Sequence, residues 1–164
     1  MKISQSVRIL LIVLLASGIS HSAIAAGGGG GGGESNVSYG SSSSESAEMM
    51  KAKVAIAQED FDRALEYLER VRDDDPNNAN AWNLTGFSLR NIGKYEASEK
   101  AYTKALLIDP KHSQAIEYMG ELYLTLDKPA KAESLLARLE DLCTFNCKER
   151  NMLAKAIREY NSKK

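Results

Sequence analysis

The sequence has few of the residues from which most catalytic and metal sites are built. Its 164 residues include two histidines and two cysteines. His112 stands two residues after Pro110 in what reads as an exposed turn, a poor place for a Ser–His or Cys–His nucleophilic pair. The seven consecutive glycines at 27–33 lack the following lysine and the strand-to-helix setting of a phosphate-binding loop. We therefore expect no enzyme, no catalytic residue, no metal and no cofactor.

No strong excess of charge is present either. The formal net charge is −1, and removing residues 1–26 would leave 19 basic and 22 acidic side chains. Nucleic acids and anionic membranes attract clusters of positive charge, which this chain lacks. The only run of three like charges, Asp73–Asp75, precedes Pro76 and is typical of a solvated turn. We expect no nucleic-acid partner.

The chain also lacks a long hydrophobic run. Its most apolar stretch, Ile9 to Ile19, has about 11 residues, well short of the roughly 20 that span a bilayer. Lys2 and Arg8 flank it on one side and Ala23-Ile24-Ala25, with small residues at its first and third positions, on the other. This layout predicts a signal peptide over residues 1–25 rather than an uncleaved anchor. We expect an exported protein, periplasmic in a Gram-negative bacterium and otherwise secreted, with no membrane insertion after cleavage.

Residues 26–44 are mostly glycine and serine. Val37 and Tyr39 are the only bulky apolar side chains in this stretch, so little surface can be buried to offset the entropy of ordering it. The composition predicts a disordered linker that tethers the rest of the chain.

Small and rigid residues recur beyond the linker at an interval of 34 residues. They are Pro76 and Pro110, Gly86 and Gly120, and Ala64, Ser98 and Ala132. Alignment on the prolines gives three units, 45–78, 79–112 and 113–146. Apolar residues follow helical spacing in both halves of the middle unit, and Asn91–Lys94 interrupts them. The register predicts stacked copies of one helix–turn–helix unit.

This pattern resembles the tetratricopeptide repeat, whose 34 positions carry small, aromatic and proline residues at fixed places. The middle unit matches at Trp82, Thr85, Gly86, Leu89, Ser98, Tyr102, Ala105 and Pro110, departing mainly at Thr85. The third unit keeps most positions but has Thr144 in place of proline, and the first lacks the aromatic pair of its first helix. The resemblance implies an all-α fold of three antiparallel helix-turn-helix repeats, stacked as a short right-handed superhelix, or α-solenoid.

The small residues of this register are interpreted as positions where helices pack closely. Ala52, Gly86 and Gly120 would allow the two helices of one hairpin to approach, and the series at 64, 98 and 132 would do the same between neighbouring units. The aromatic residues Trp82, Tyr102 and Tyr123 are then expected in the core rather than at a ligand.

Residues 147–164 follow the third unit. Met152, Leu153, Ala156, Ile157 and Tyr160 form one apolar stripe, which predicts an amphipathic helix that caps the last repeat. A helix that binds a partner or a membrane surface is the alternative.

Cys143 and Cys147 are the only cysteines, and an even number in an exported chain predicts a disulfide. Redox-active pairs and haem sites favour a two-residue spacing rather than the three residues found here, and zinc would need further ligands. The bond would fix the direction of the cap helix.

The family resemblance also places a binding surface. In the family the first helix of each unit lines a concave groove, which here implies a peptide-binding set of Asn80, Asn83, Phe87, Arg90, Asn91, Glu117 and Glu121. Flanking positions are Met49, Lys53, Ile56, Gln114, Leu124 and Thr125. The amides and Arg90 would hold a peptide backbone, Phe87 would supply an apolar contact, and the two glutamates would favour a basic segment. A merely solvated helix face is the alternative.

Together these features predict a non-enzymatic exported scaffold that binds a peptide segment of another protein. The family's clamp for carboxylate tails is not expected, because its positions hold Met49, Lys53, Leu84, Gln114 and Tyr118. Two alternatives remain: a homo-oligomer formed through Met49, Met50 and Ile56 of the incomplete first unit, and a thiol-redox role of the cysteines.

Overall fold

The computed structural model describes residues 45–163 of the chain. The predicted signal peptide and linker lie outside these residues. The described part is built from helices without strands: α1 (Ala47–Ala57), α2 (Phe61–Asp74), α3 (Ala79–Asn91), α4 (Tyr95–Ile108), α5 (Ser113–Thr125), α6 (Pro129–Leu142) and α7 (Lys148–Asn161). None of these helices has the length and apolar character needed to cross a bilayer. The all-α repeat fold is confirmed.

The helices pack as three hairpins, α1 with α2, α3 with α4, and α5 with α6. Neighbouring hairpins meet through α2 with α3 and α4 with α5, and α3 also touches α5. The cap helix α7 lies against α5 and α6. This arrangement places α3 and α5 side by side and positions the candidate site along their shared face.

The turns inside the hairpins repeat the same backbone geometry. Glu59, Gly93 and Asp127, spaced by 34 residues, all have a positive φ, of 59°, 77° and 57°. In each turn the following amide donates to a carbonyl five residues back, at 2.8–2.9 Å, which closes the end of the first helix. Glycine adopts this conformation at no steric cost, so Gly93 suits its turn better than the residues at the other two positions.

The small residues of the repeat lie where backbones come close. A Cβ at Gly86 would stand 2.6 Å from the ring of Tyr102, which is fully buried. Two packing predictions need correction. Ser98 contacts its own hairpin, because its hydroxyl donates to the Gly86 carbonyl at 2.7 Å. The atoms nearest a Cβ at Gly120 belong to Leu153 of α7 rather than to α6.

The connection from α6 to α7 contains both cysteines. The structure joins Cys143 to Cys147 by a disulfide with 5.8 Å between their Cα atoms. Cys143 is the residue after α6 and Cys147 is the residue before α7, so the bond spans the corner between these helices. Phe145 at the tip of the loop is 90% exposed. Formation of this disulfide in the protein stays a prediction.

Candidate functional site

The face shared by α3 and α5 carries a ladder of side-chain contacts between residues 31 or 32 positions apart. Its rungs are Asn80 with His112 at 3.0 Å, Asn83 with Gln114 at 3.0 Å, Phe87 with Tyr118 at 4.9 Å between ring centroids, and Arg90 with Glu121 at 2.6 Å. Residues three and four apart share one face of a helix, which explains why the rungs succeed one another along both helices. Most of the predicted groove residues are therefore engaged with α5.

The histidine of the first rung also caps the N-terminus of α5. His112 is the N-cap residue, and its Nδ1 accepts the amide hydrogen of Ala115 at 3.2 Å. The ring proton must then lie on Nε2, which donates to the Asn80 Oδ1 atom. Burial lowers the pKa of His112, which keeps the ring neutral as the cap requires. The contacts of His112 are those of a helix cap.

Arg90 is held from two directions. Its guanidinium donates to Glu121 at 2.6 Å and lies 5.7 Å from the ring centroids of Phe87 and Tyr118. The side chains of the ion pair are only 16% and 29% exposed. A short, partly buried and charge-assisted contact of this kind fixes the arginine, so it is a structural element of the groove wall.

Two predicted contact residues lie deeper than a solvated helix face would place them. Asn83 is fully buried and Glu117 is 1% exposed. The Asn83 amide nitrogen donates to Gln114, yet its Oδ1 atom has no hydrogen-bond partner, and neither carboxylate oxygen of Glu117 has a donor. The expectation that these side chains extend freely toward a peptide is corrected, because the neighbouring helix covers them.

The buried position of Glu117 changes the pKa of its carboxyl group. Burial, and then the neighbouring carboxylate of Glu121, raise the pKa of Glu117 to about 8. Arg90 acts in the opposite direction, and Glu149 of α7 raises the pKa further. The Glu117 carboxyl is therefore mostly protonated at neutral pH, which relieves its repulsion with Glu121.

The remaining predicted positions lie nearer the surface. Asn91 is exposed, and its amide group donates to the Phe87 carbonyl at 2.9 Å within α3. Phe87 is half-buried and also stacks edge-on against Phe61 at 6.1 Å. Among the flanking positions, Met49 is buried, Ile56 and Leu124 are half-buried, and Lys53, Gln114 and Thr125 are exposed.

Tyr118 is the residue that the sequence reasoning passed over. It appeared only as a mismatch to the family's clamp, yet it stacks on Phe87 and accepts a hydrogen bond from Gln114 at 3.1 Å. A signal was present, because Tyr118 follows Phe87 by 31 residues, the same offset as the rungs at Asn83 and Arg90. Pairing α3 with α5 at that offset would have identified it.

Metal binding finds no support in this part of the chain. Within residues 45–163, no group of three or more histidine, cysteine, aspartate and glutamate side chains is arranged to hold an ion. The site therefore consists of an aromatic pair, an ion pair and buried polar groups.

Similar structures share the architecture. The TPR2B domain of yeast Sti1, solved as a pHsp70 complex, matches with a TM-score of 0.64 at 15% identity over 71% of this chain and 95% of that one. The first TPR of Spaghetti (RPAP3), bound to the HSP90 peptide SRMEEVD, matches with a TM-score of 0.61 at 19% identity over 70% and 90%. At these identities the likeness shows the fold alone.

Sequence comparison identifies the family. DnaJ protein P58IPK homolog B of Oryza sativa subsp. japonica is 27% identical over 92 residues, which cover 56% of this chain and 20% of that protein. The chain thus spans only about a fifth of that relative. A family model described as Tetratricopeptide repeat matches residues 49–112 and 88–146. These two overlapping matches cover more than half of the sequence, and the chain belongs to the tetratricopeptide repeat family.

Proposed function

We propose that this protein is a non-enzymatic scaffold that binds an extended segment of another protein along the α3–α5 face. The observation that carries the proposal is the half-buried aromatic pair of Phe87 and Tyr118, whose ring centroids lie 4.9 Å apart on this face. Half-buried rings lose further contact with water when a segment lies on them, so a ligand with apolar side chains gains affinity there. The peptide complex of the Spaghetti domain supports this use of the fold.

An acidic tail is a poor ligand for this face. The positions of the family's carboxylate clamp hold residues other than its lysines, asparagines and arginine, among them Met49, Gln114 and Tyr118. Arg90 is already paired with Glu121, so it is not available to an acidic tail. We expect selection against peptides that resemble the acidic SRMEEVD peptide of the Spaghetti complex.

A second surface is the main alternative to the α3–α5 face as a peptide-binding site. A cavity of about 400 Å³ opens between α4 and α6, lined mostly by apolar side chains that include Leu106, Leu107, Met119 and Leu135. Its lining includes no buried polar atom that lacks a partner, so it offers less specificity than the α3–α5 face.

Peptide selection followed by mapping distinguishes the two surfaces. A displayed library of random peptides is selected on the protein, and the winners are titrated into labelled protein while amide resonances are followed. We expect shifts at Asn83, Phe87, Gln114 and Tyr118. Phe87→Leu should weaken binding several-fold, whereas Leu107→Ala on the outer face should not. Shifts confined to α4 and α6, or no selected peptide, would contradict the proposal.

Export is a separate proposal that rests on the amino-terminal sequence. Lys2 and Arg8, the apolar run that follows, and the alanines at 23 and 25 support a signal peptide cleaved after Ala25 or Ala26. Expression of the full chain in a bacterium with a periplasm, fractionation and intact-mass measurement test it. A protein recovered uncleaved in the cytoplasm would argue against export.

Self-association is a second candidate function, favoured by one observation on α1. Met50 and Val54 lie one turn apart and are 52% and 57% exposed, whereas Met49 is buried and Ile56 half-buried. Sedimentation over a range of concentrations tests this alternative. A homo-oligomer that dissociates in the Met50→Gln/Val54→Gln variant supports it, and a strictly monomeric protein excludes it.

A further inference from the structure

The charge of the chain is divided unevenly along its length. Residues 148–164, which contain α7, have six basic and two acidic side chains, whereas residues 45–147 have 13 basic and 19 acidic ones. The near-neutral total conceals this division, so the expectation that the chain lacks a cluster of positive charge needs correction. Such an asymmetry indicates that the basic part of a chain meets a polyanionic partner.

The positive charge lies on the outward face of α7. Leu153 and Ile157 are buried on the face that packs against α5 and α6. The exposed basic side chains of the helix and of the turn after it are Lys148, Lys155, Arg158 and Lys163. Glu159 is the one acidic side chain exposed on α7, and its contact with Lys155 at 3.5 Å is a surface ion pair. Exposed pairs of this kind hold their partners weakly, so Lys155 stays available to another anion.

An aromatic side chain projects beside this face. Phe145, in the loop between the two cysteines, is 90% exposed, more than any other large apolar side chain of the described residues. The next residue, Asn146, lines a shallow cavity together with Lys148, Met152 and Lys155, and Met152 is exposed as well. The loop and the outward face of α7 therefore form one continuous surface, with apolar side chains at one end and cations along it.

We propose that this cap surface, defined by Phe145, Lys148, Met152 and Lys155, docks the protein on an anionic lipid membrane. Phe145 enters the boundary between headgroups and acyl chains, while the ammonium groups meet lipid phosphates. One aromatic side chain and a few cations give weak and reversible binding, and no helix crosses the bilayer. The proposal uses none of the residues of the α3–α5 face and does not depend on peptide binding there.

A protein partner fits the cap surface less well than a membrane. Four of the six cations in residues 148–164 are lysines. Lysine is depleted at protein–protein interfaces, whereas its flexible stem suits a surface of mobile phosphates. A second copy of this chain is disfavoured at its apolar α1 end, because Met50 and Val54 share their cavity with Lys51 and Arg63, which would repel the cap surface.

Flotation with lipid vesicles tests the proposal. Vesicles of phosphatidylcholine are compared with vesicles in which about a third of the lipid is phosphatidylglycerol. Every protein carries the full chain as it is recovered, so a contribution from the amino-terminal segment is common to all and drops out between variants. We expect stronger binding to the anionic vesicles, and a decrease in this binding as salt screens the charges.

One pair of matched variants tests the cations. Lys148→Gln/Lys155→Gln should lose about tenfold or more in affinity for anionic vesicles, because each basic residue near such a surface contributes about fivefold. Lys94→Gln/Lys111→Gln removes the same charge from exposed turns of the repeats and should bind like the wild type.

The apolar contact has its own control and its own measurement. Phe145→Ser should weaken binding several-fold, whereas Leu107→Ser on α4 should not. Both side chains are largely exposed, so neither change disturbs the core. Phe145→Trp reports on depth, since its fluorescence should shift to the blue when anionic vesicles are added. The wild type, with Trp82 alone, supplies the background.

Three results would overturn the cap surface as a membrane site. The first is unchanged vesicle binding in both Lys148→Gln/Lys155→Gln and Phe145→Ser, and the second is an unshifted emission in Phe145→Trp. The third is no binding to anionic vesicles while immobilised polyglutamate retains the wild type but not the lysine variant, which would assign the surface to an acidic protein. Peptide binding mapped to the α3–α5 face would stand or fall separately from all three.

Discussion

Leu153 of the cap helix occupies the space that a side chain at Gly120 would need. A Cβ built at Gly120 would lie 2.6 Å from both δ-carbons of Leu153, well inside van der Waals contact. Leu153 is fully buried and Gly120 lies in the middle of α5. The glycine is therefore a requirement for seating α7 rather than a feature of its own hairpin.

Gly120→Ala should destabilise the protein despite improving helix propensity. Alanine in a helix interior gains about 0.5–1 kcal/mol over glycine, but crowding a packed core costs about 1–3 kcal/mol, so we expect a net loss of about 1 kcal/mol. In a Leu153→Ala background the crowding is gone and Gly120→Ala should be neutral or stabilising. Chemical denaturation of the four proteins measures this coupling, and strictly additive effects would contradict it.

The sequence predicted the part of this arrangement that depends on local spacing. Helices, turns and the 34-residue register follow from positions such as Pro110 and Gly86, because each reports on the backbone around it. The partner of Gly120 was not predictable in the same way, since α7 departs from the repeat register. Burial of Glu117 was missed for a similar reason: its surroundings come from α3, α5 and α7 together, and a polar residue on a helix face looks solvated in isolation.

His112 should make stability sensitive to mild acid. Burial lowers its folded pKa below the usual 6.5, so the unfolded chain binds more protons in that window and stability falls as pH drops through it. A protonated Nδ1 can no longer accept the Ala115 amide. His112→Ala should cost about 1 kcal/mol near pH 7, whereas His112→Asn keeps a good N-cap and should remove the His112 component. That component is the difference between the two proteins, because Glu117 changes stability in the opposite direction over the same pH range. Melting curves between pH 5 and 7 test this, and equal acid sensitivity in His112→Asn would contradict it.

Reduction of the Cys143–Cys147 bond should have a modest and local effect. A ring that closes across so few residues contributes about 2 kcal/mol at most by loss of chain entropy. We expect a small decrease in melting temperature with reductant, and faster amide exchange in α7 than in α3. Cys143→Ser/Cys147→Ser should melt like the reduced protein with or without reductant. Free thiols in the untreated protein would show that the bond does not form.

Glu117 should give the protein an unusual loss of stability toward alkaline pH. Its folded pKa of about 8 lies above that of an unfolded glutamate, near 4.5, so the folded state binds more protons between these values and stability decreases as pH rises through the interval. The loss is on the order of 1 kcal/mol or more, because each pKa unit corresponds to about 1.4 kcal/mol. Glu117→Gln cannot ionise and should abolish this component. Denaturation at pH 6 and 8 provides the comparison, and a variant with the wild-type slope would assign the effect elsewhere.

Arg90 should stabilise the fold mainly by neutralising the Glu121 carboxylate beside Glu117, and less by its stacking on Phe87 and Tyr118. Arg90→Ala leaves Glu121 beside Glu117 without a cation, and removing one partner of a partly buried ion pair costs about 1–3 kcal/mol. The pKa of Glu117 should rise further, because Arg90 is the group that lowers it. Glu121→Ala in the same chain removes the uncompensated carboxylate, so the double variant should be more stable than the sum of the single losses implies. A double-mutant cycle at pH 8, with Glu117 followed by carbon NMR, measures both effects. Additive losses with an unshifted Glu117 would mean that Arg90 acts only through its stacking on Phe87 and Tyr118.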